Sequence, residues 1–237
     1  MFKTIKTGVL TLGLFAALSA VSAQATTITY YVSGQASATI ETQTDQVIVT
    51  LSDLWTNPAD VVGNLSALSF TLDLAPSSGS LTSSSGIERS VNADGTYSDG
   101  SAVPTGWVFS LAGFTTTLND LIGTGHAGPA HTIIGAPDAN NVYSAANGSI
   151  TGNGPHNPFL AGSATFIISE LGVTANTVVT AATFQFGSAN GENQVPGTPQ
   201  GSTPEPGTWV LLLGGCSLVL ISRARMNRQP AACKSKG

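Results

Sequence analysis

The chain has 237 residues, only 9% of them charged, and a formal net charge of −5. Seven of its eight basic residues sit near the ends (Lys3, Lys6, Arg223, Arg225, Arg228, Lys234 and Lys236), so residues 26–203 hold twelve acids against Arg89 alone, a balance of −11. Phosphate backbones are bound by Lys and Arg that neutralise charge and release counterions, which excludes nucleic acid as a partner and also excludes docking on anionic lipid through a basic face.

The N-terminus reads as an export signal. Lys3 and Lys6 precede an apolar run from Gly8 to Ala20, and Ala23-Gln24-Ala25 supplies the small residues a signal peptidase accepts. Residues 1–25 are therefore a signal peptide, cut after Ala25, with Ala23 and Ala25 forming the peptidase site. A membrane anchor is the weaker reading, because the run falls short of the ~20 residues that span a bilayer.

From Thr26 the pattern changes to strands. Thr27–Ser33 is rich in β-branched and aromatic residues, and Gln46–Leu51 alternates Val47, Val49 and Leu51 with Ile48 and Thr50. Leu68–Leu74 places Leu68, Phe70, Leu72 and Leu74 on one face, the period of two of a half-buried strand. Trp107–Leu111, Ala164–Ser169 and Val178–Phe186 are further strands, while Pro76–Gly86, Ala93–Gly100 and Asn147–Pro158 read as turn-rich. Phe114–Ile122 has room for one short helical turn. Short strands between Gly/Pro/Asn loops predict an all-β fold, a single antiparallel β-sandwich or jelly-roll-like domain over 26–186. Both cysteines, Cys216 and Cys233, lie beyond it, so this domain holds no disulfide. Residues 187–203 read as a flexible linker in which Pro196 and Pro199 block pairing.

The last segment is the most specific. Pro204-Glu205-Pro206 leads into an apolar helix over 208–222 that starts at Trp209, followed by Arg223, Arg225 and Arg228. Trp favours the headgroup region and arginines stay cytoplasmic, which puts the domain outside and residues 229–237 inside as a cytoplasmic extension. So short an apolar run suits a temporary stop in the membrane better than a permanent anchor.

Residues 204–228 resemble the PEP-CTERM sorting signal: a Pro-Glu-Pro motif, a short hydrophobic helix and an arginine-rich end, in that order. The resemblance implies processing by an exosortase near Pro204, Glu205 and Pro206, in a Gram-negative bacterium that makes exopolysaccharide. It further implies release to the cell surface or the extracellular matrix of a biofilm. The motif is acted upon and carries no catalysis of its own.

The central domain offers few chemical candidates. His126 and His131 flank Gly and Pro, so no helical zinc spacing is available; backbone bonding in loops is the simpler reading, and the same holds for His156. No G-x-S-x-G elbow is present. Asp53, Asp60, Asp94, Asp99, Asp120, Asp138 and Glu170 are scattered singly, and surface solubility accounts for most of them. No cofactor is expected. Calcium at Asp94 and Asp99 is the best metal candidate, against a favoured reading as a plain turn pair. Trp55 and Trp107 stack on sugar rings if exposed, although burial in the core is the commoner fate of Trp. Asn64-Leu65-Ser66 and Asn147-Gly148-Ser149 match the N-glycosylation pattern. The expectation is an exported, non-enzymatic surface or matrix protein associated with exopolysaccharide. A carbohydrate-binding module and a secreted β-sandwich hydrolase are the alternatives.

Overall fold

The structure, a computed structural model, describes residues 25–200. Ala23, the Pro204–Arg228 signal and the 229–237 extension lie outside the described residues. The strands are β1 (Thr26–Val32), β2 (Ala36–Gln43), β3 (Gln46–Asp53), β4 (Leu65–Leu72), β5 (Gly79–Val91), β6 (Tyr97–Val103) and β7 (Val108–Ala112). They continue as β8 (Thr115–Asn119), β9 (Ile133–Ile134), β10 (Phe159–Glu170), β11 (Val179–Phe186), β12 (Gln194–Pro196) and β13 (Thr198–Gln200). The described chain is all-β, with a single 3-10 turn at Val61–Gly63.

Hydrogen bonds run β12-β11-β4-β9-β10-β3-β2-β1-β13, with β5 and β6 branching from β10, and β8 and β7 branching from β4. The sheet is mixed, which corrects the purely antiparallel expectation: β9 lies parallel to β10. A long loop separates β8 from β9, so no hairpin fixes the direction in which Ile133–Ile134 enters the sheet.

Alternation decides which side chains point inward. β2 buries Ala36, Ala38, Ile40 and Thr42, and β3 buries Val47, Val49, Leu51 and Asp53. Leu68, Phe70 and Leu72 of β4 and Phe184 of β11 join them in one core. Each such Leu or Phe contributes about 1.5–3 kcal/mol through burial. Trp107 tilts against Phe166 with ring centroids 5.2 Å apart. A second cluster, with Val91, Ile134, Tyr143, Ile150 and Phe159, holds the long loops.

Several segments differ from the sequence expectation. Pro76–Gly86 is not all turn: β5 begins at Gly79 and pairs with β10 along Ser80–Ser169 and Ser85–Thr165. Within Ala93–Gly100, Tyr97 already opens β6. Phe114–Ile122 holds no helical turn; its β-branched Thr115–Thr117 run forms β8 against β4.

Within the expected 187–203 linker, the described residues 194–200 are paired, which corrects that part of it. Gln194–Pro196 pairs with β11 and Thr198–Gln200 pairs with β1, so one short run bridges two edges of the sheet. Proline is tolerated at such edges because its missing N–H faces away from the ladder. In sequence Gly201–Thr203 separate Gln200 from Pro204, a reach of at most ~14 Å. Gly197, between the two strands, is pressed against the core: a Cβ there would lie 2.7 Å from Phe184 Cε2 and 3.2 Å from Tyr30 Cβ. Gly197→Ala is expected to destabilise the fold by about 1–3 kcal/mol through overpacking. An unchanged urea midpoint would show that the strap is not seated as described.

Candidate functional site

Strand register gathers the lone cation of the central domain into one cluster. Arg89 on β5 lies opposite Asp99 on β6, and its Nε and Nη2 donate to the two Asp99 oxygens at 2.6 and 2.7 Å. Nη1 donates to the Tyr143 hydroxyl at 3.0 Å, and the guanidinium sits 4.1 Å above the Tyr97 ring. Burial opposes the Arg89 charge, but Asp99 and Tyr143 outweigh it and hold the group above its ordinary value. The Tyr143 hydroxyl donates onward to the Gly135 carbonyl at 2.8 Å. This is a bidentate, stacked ion pair with its hydrogen bonds satisfied, suited to pinning the loops onto β5.

Asp99 is therefore engaged with Arg89 and not with Asp94, whose Oδ1 instead accepts the N–H and hydroxyl of Thr96. The suggested calcium pair is thus divided between a salt bridge and a turn. Hydrogen bonds from Thr96 hold the exposed Asp94 carboxylate below its ordinary range, and one from Ser144 does the same for Asp138.

Two of the histidines bond in place. His131 has a φ of +67°, with Nδ1 2.9 Å from the Thr105 carbonyl oxygen and Nε2 3.1 Å from Glu88 Oε1. His156 Nδ1 is 2.6 Å from the Ser149 carbonyl oxygen. His126 is exposed. Among the described residues no histidine nitrogen hydrogen-bonds a serine hydroxyl.

The acids bring the largest correction. Asp53, Asp120 and Glu170 do not serve surface solubility; they are 5%, 0% and 0% exposed. Each occupies an inward position that alternation would otherwise give to an apolar residue. Burial raises Asp53 well above the carboxylate range, against the N–H groups of Trp55, Leu65 and Gly135. Burial raises Glu170 as well, against a hydrogen bond from the Thr116 hydroxyl. Asp120 is pushed up to about 9 by burial. Neither Asp120 oxygen has a hydrogen-bond partner among the described residues, and Asn64 Oδ1 has none either. Such a carboxyl is held neutral, because an unpaired buried charge is too costly.

The aromatic and glycosylation candidates separate cleanly. Trp107 is buried, its indole N–H donating to the His131 carbonyl at 2.9 Å, whereas Trp55 is 38% exposed. Asn64 is buried and its Nδ2 donates to Thr132, which removes it as a glycan acceptor; Asn147 is exposed. A shallow groove of about 170 Å³ between β4 and β11 is lined by Ala67, Ser69, Thr183, Gln185 and Gln194. That is below the ~300 Å³ at which small-molecule pockets begin.

These features define an all-β domain that buries three acids, Asp53, Asp120 and Glu170, and its one arginine. No protein-family model matches the chain, and no curated protein or solved structure is significantly similar to it.

Proposed function

We propose that the chain is an exported surface or extracellular-matrix protein, sorted through its C-terminal signal and released by an exosortase. On this reading its β domain, a sandwich in architecture, is a non-enzymatic body associated with exopolysaccharide. The observation that carries the proposal is one of boundaries. Among the described residues the strands run from Thr26, which follows the Ala23–Ala25 peptidase site in sequence, to Gln200, four residues before Pro204. On this reading the two processing signals flank the described strands in sequence, and β1 and β13 pair at one edge through Thr29–Gln200 and Tyr31–Thr198. Removing both signals leaves every strand of the described residues in place. That β1, β2, β3 and β10 share one core with β4, β8 and β11 supports the sandwich.

Replacing Pro204, Glu205 and Pro206 together by alanine tests the proposal in the native host. The expected result is retention of the full-length tail in the membrane fraction and loss of the released form. An unchanged distribution between membrane and medium would remove the sorting signal from the account.

A further inference from the structure

The outer face of β1, β2, β3, β10 and β5 carries an ordered row of hydroxyls. Register sets Thr29 opposite Thr39, Thr39 opposite Thr50, Thr50 opposite Thr165, and Thr165 opposite Ser85. With strands ~4.8 Å apart, the row is roughly 19 Å long. A second row, Tyr31, Ser37, Ser52 and Ser163, runs beside it two residues along each strand, roughly 7 Å away. On its other side Ile48 and Ile167 pair as an apolar strip, with Glu41 next to Ile48.

Two properties separate this face from an ordinary solvated sheet. The first is charge. A surface designed for solubility carries about 25–35% charged residues; here, in a chain 9% charged, Glu41 is the one charged residue among those just named. The other eleven acids of residues 26–203 are not among these positions. The second is hydrogen bonding. On the β4–β8 face the hydroxyls bond to each other across strands, Ser69 to Thr117 at 2.8 Å and Thr71 to Thr115 at 3.3 Å. In the long row only Thr29 and Thr39 do so, at 3.1 Å. The hydroxyls of Thr50, Thr165 and Ser85 have no side-chain or backbone partner among the described residues, and Thr50 and Ser85 are exposed.

We propose that this face binds an extended, uncharged polysaccharide. Hydroxyls donate and accept at once, as the hydroxyls of a pyranose do. Ile48 and Ile167 offer an apolar strip for the C–H face of the ring, and burying this surface desolvates little charge. An anionic polymer would meet a like-charged domain, and a cationic one would find only Glu41 on the face. The inference rests on the proposed export for where the polymer is met; the binding itself does not depend on it.

The test uses the full chain in mild detergent on native gels cast with a soluble neutral β-glucan, against gels cast with polygalacturonate. The glucan is expected to retard the protein, and added salt is expected to leave the retardation unchanged. The double variant Thr50→Val/Thr165→Val keeps β-branched shape and strand propensity while removing two free hydroxyls. It is expected to weaken binding at least about ten-fold at unchanged melting temperature. Thr71→Val/Thr115→Val, on the other face, is expected to bind as the parent does. No retardation, equal retardation of both variants, or retardation by polygalacturonate alone would overturn the proposal. So would a concentration-dependent dimer lost in Thr50→Val/Thr165→Val without glucan binding, which would give the face to a second copy. A protein that loses its tail but ignores the glucan refutes this inference alone; one that binds glucan but keeps its tail refutes the sorting proposal alone.

Discussion

Raising the pH from about 5 to about 9 is expected to lower the melting temperature by on the order of ten degrees, and Asp120→Asn is expected to remove most of that loss. The sign follows from proton binding. Burial lifts the Asp120 carboxyl to about 9 in the folded protein, so the fold holds its proton where the unfolded chain, near pH 4, has already released it. Between those values every pH unit favours unfolding by about 1.4 kcal/mol for one such group, roughly 5 kcal/mol across the interval. Asp53 and Glu170 are raised by burial in the same sense and steepen the decline. At the acid end Asp94 and Asp138 act the other way. Their folded-state values are depressed, so their contribution is present above the unfolded value and fades as the pH falls through the folded one. Stability should therefore peak in weakly acidic solution. Thermal melts of parent and Asp120→Asn across the range check this; a flat profile, or equal slopes in the two proteins, would show that Asp120 is not held neutral.

Arg89→Ala is expected to cost about 3 kcal/mol, read as a lower urea midpoint. The substitution removes a bidentate pair with Asp99, a hydrogen bond to Tyr143 and the cation over Tyr97. The Asp99 side chain is 41% exposed, so the carboxylate left behind finds water and the loss stays below that of a fully buried pair. Arg89→Lys should recover only part of it, because an ammonium cannot reproduce the planar fork. A change within about 0.5 kcal/mol for Arg89→Ala would place it among ordinary surface substitutions and contradict the clasp described for the loops.

The strands legible in the sequence were those rich in large apolar, aromatic or β-branched residues. Leu68, Phe70 and Leu72 announced β4 by alternation, and the Ala164–Ser169 run announced part of β10. β2 went unread because Ala36 and Ala38 are small, although with Ile40 they keep the period of two. β5 and β6 could not be read locally. Their Ser- and Gly-rich residues resemble turns, and they become strands because β10 offers an edge to pair with. The same holds for Pro196 and Pro199, whose strands are set by β11 and β1.

The site was legible in smaller part. Arg89 stood out as the only cation of residues 26–203, but its partners are fixed by register and loop folding, which spacing does not reveal. The buried acids did leave a signal. Asp53 continues the inward series Val47, Val49, Leu51, and Glu170 continues Ala164, Phe166, Ile168. Asp120 likewise follows Thr116 and Leu118. Read as positions on a face, these three acids belong inside; read as composition, they looked like surface charge. The hydroxyl row emerges only once five strands are placed side by side.

The central claim is that two processing signals frame one folded, exported segment, and intact mass of the protein recovered from its native host tests it most directly. The account predicts a chain that begins at Thr26 and ends within Thr203–Pro206, in the envelope surface or the medium. A chain that keeps Arg223–Gly237 in the membrane, or still carries Met1–Ala25, would contradict it.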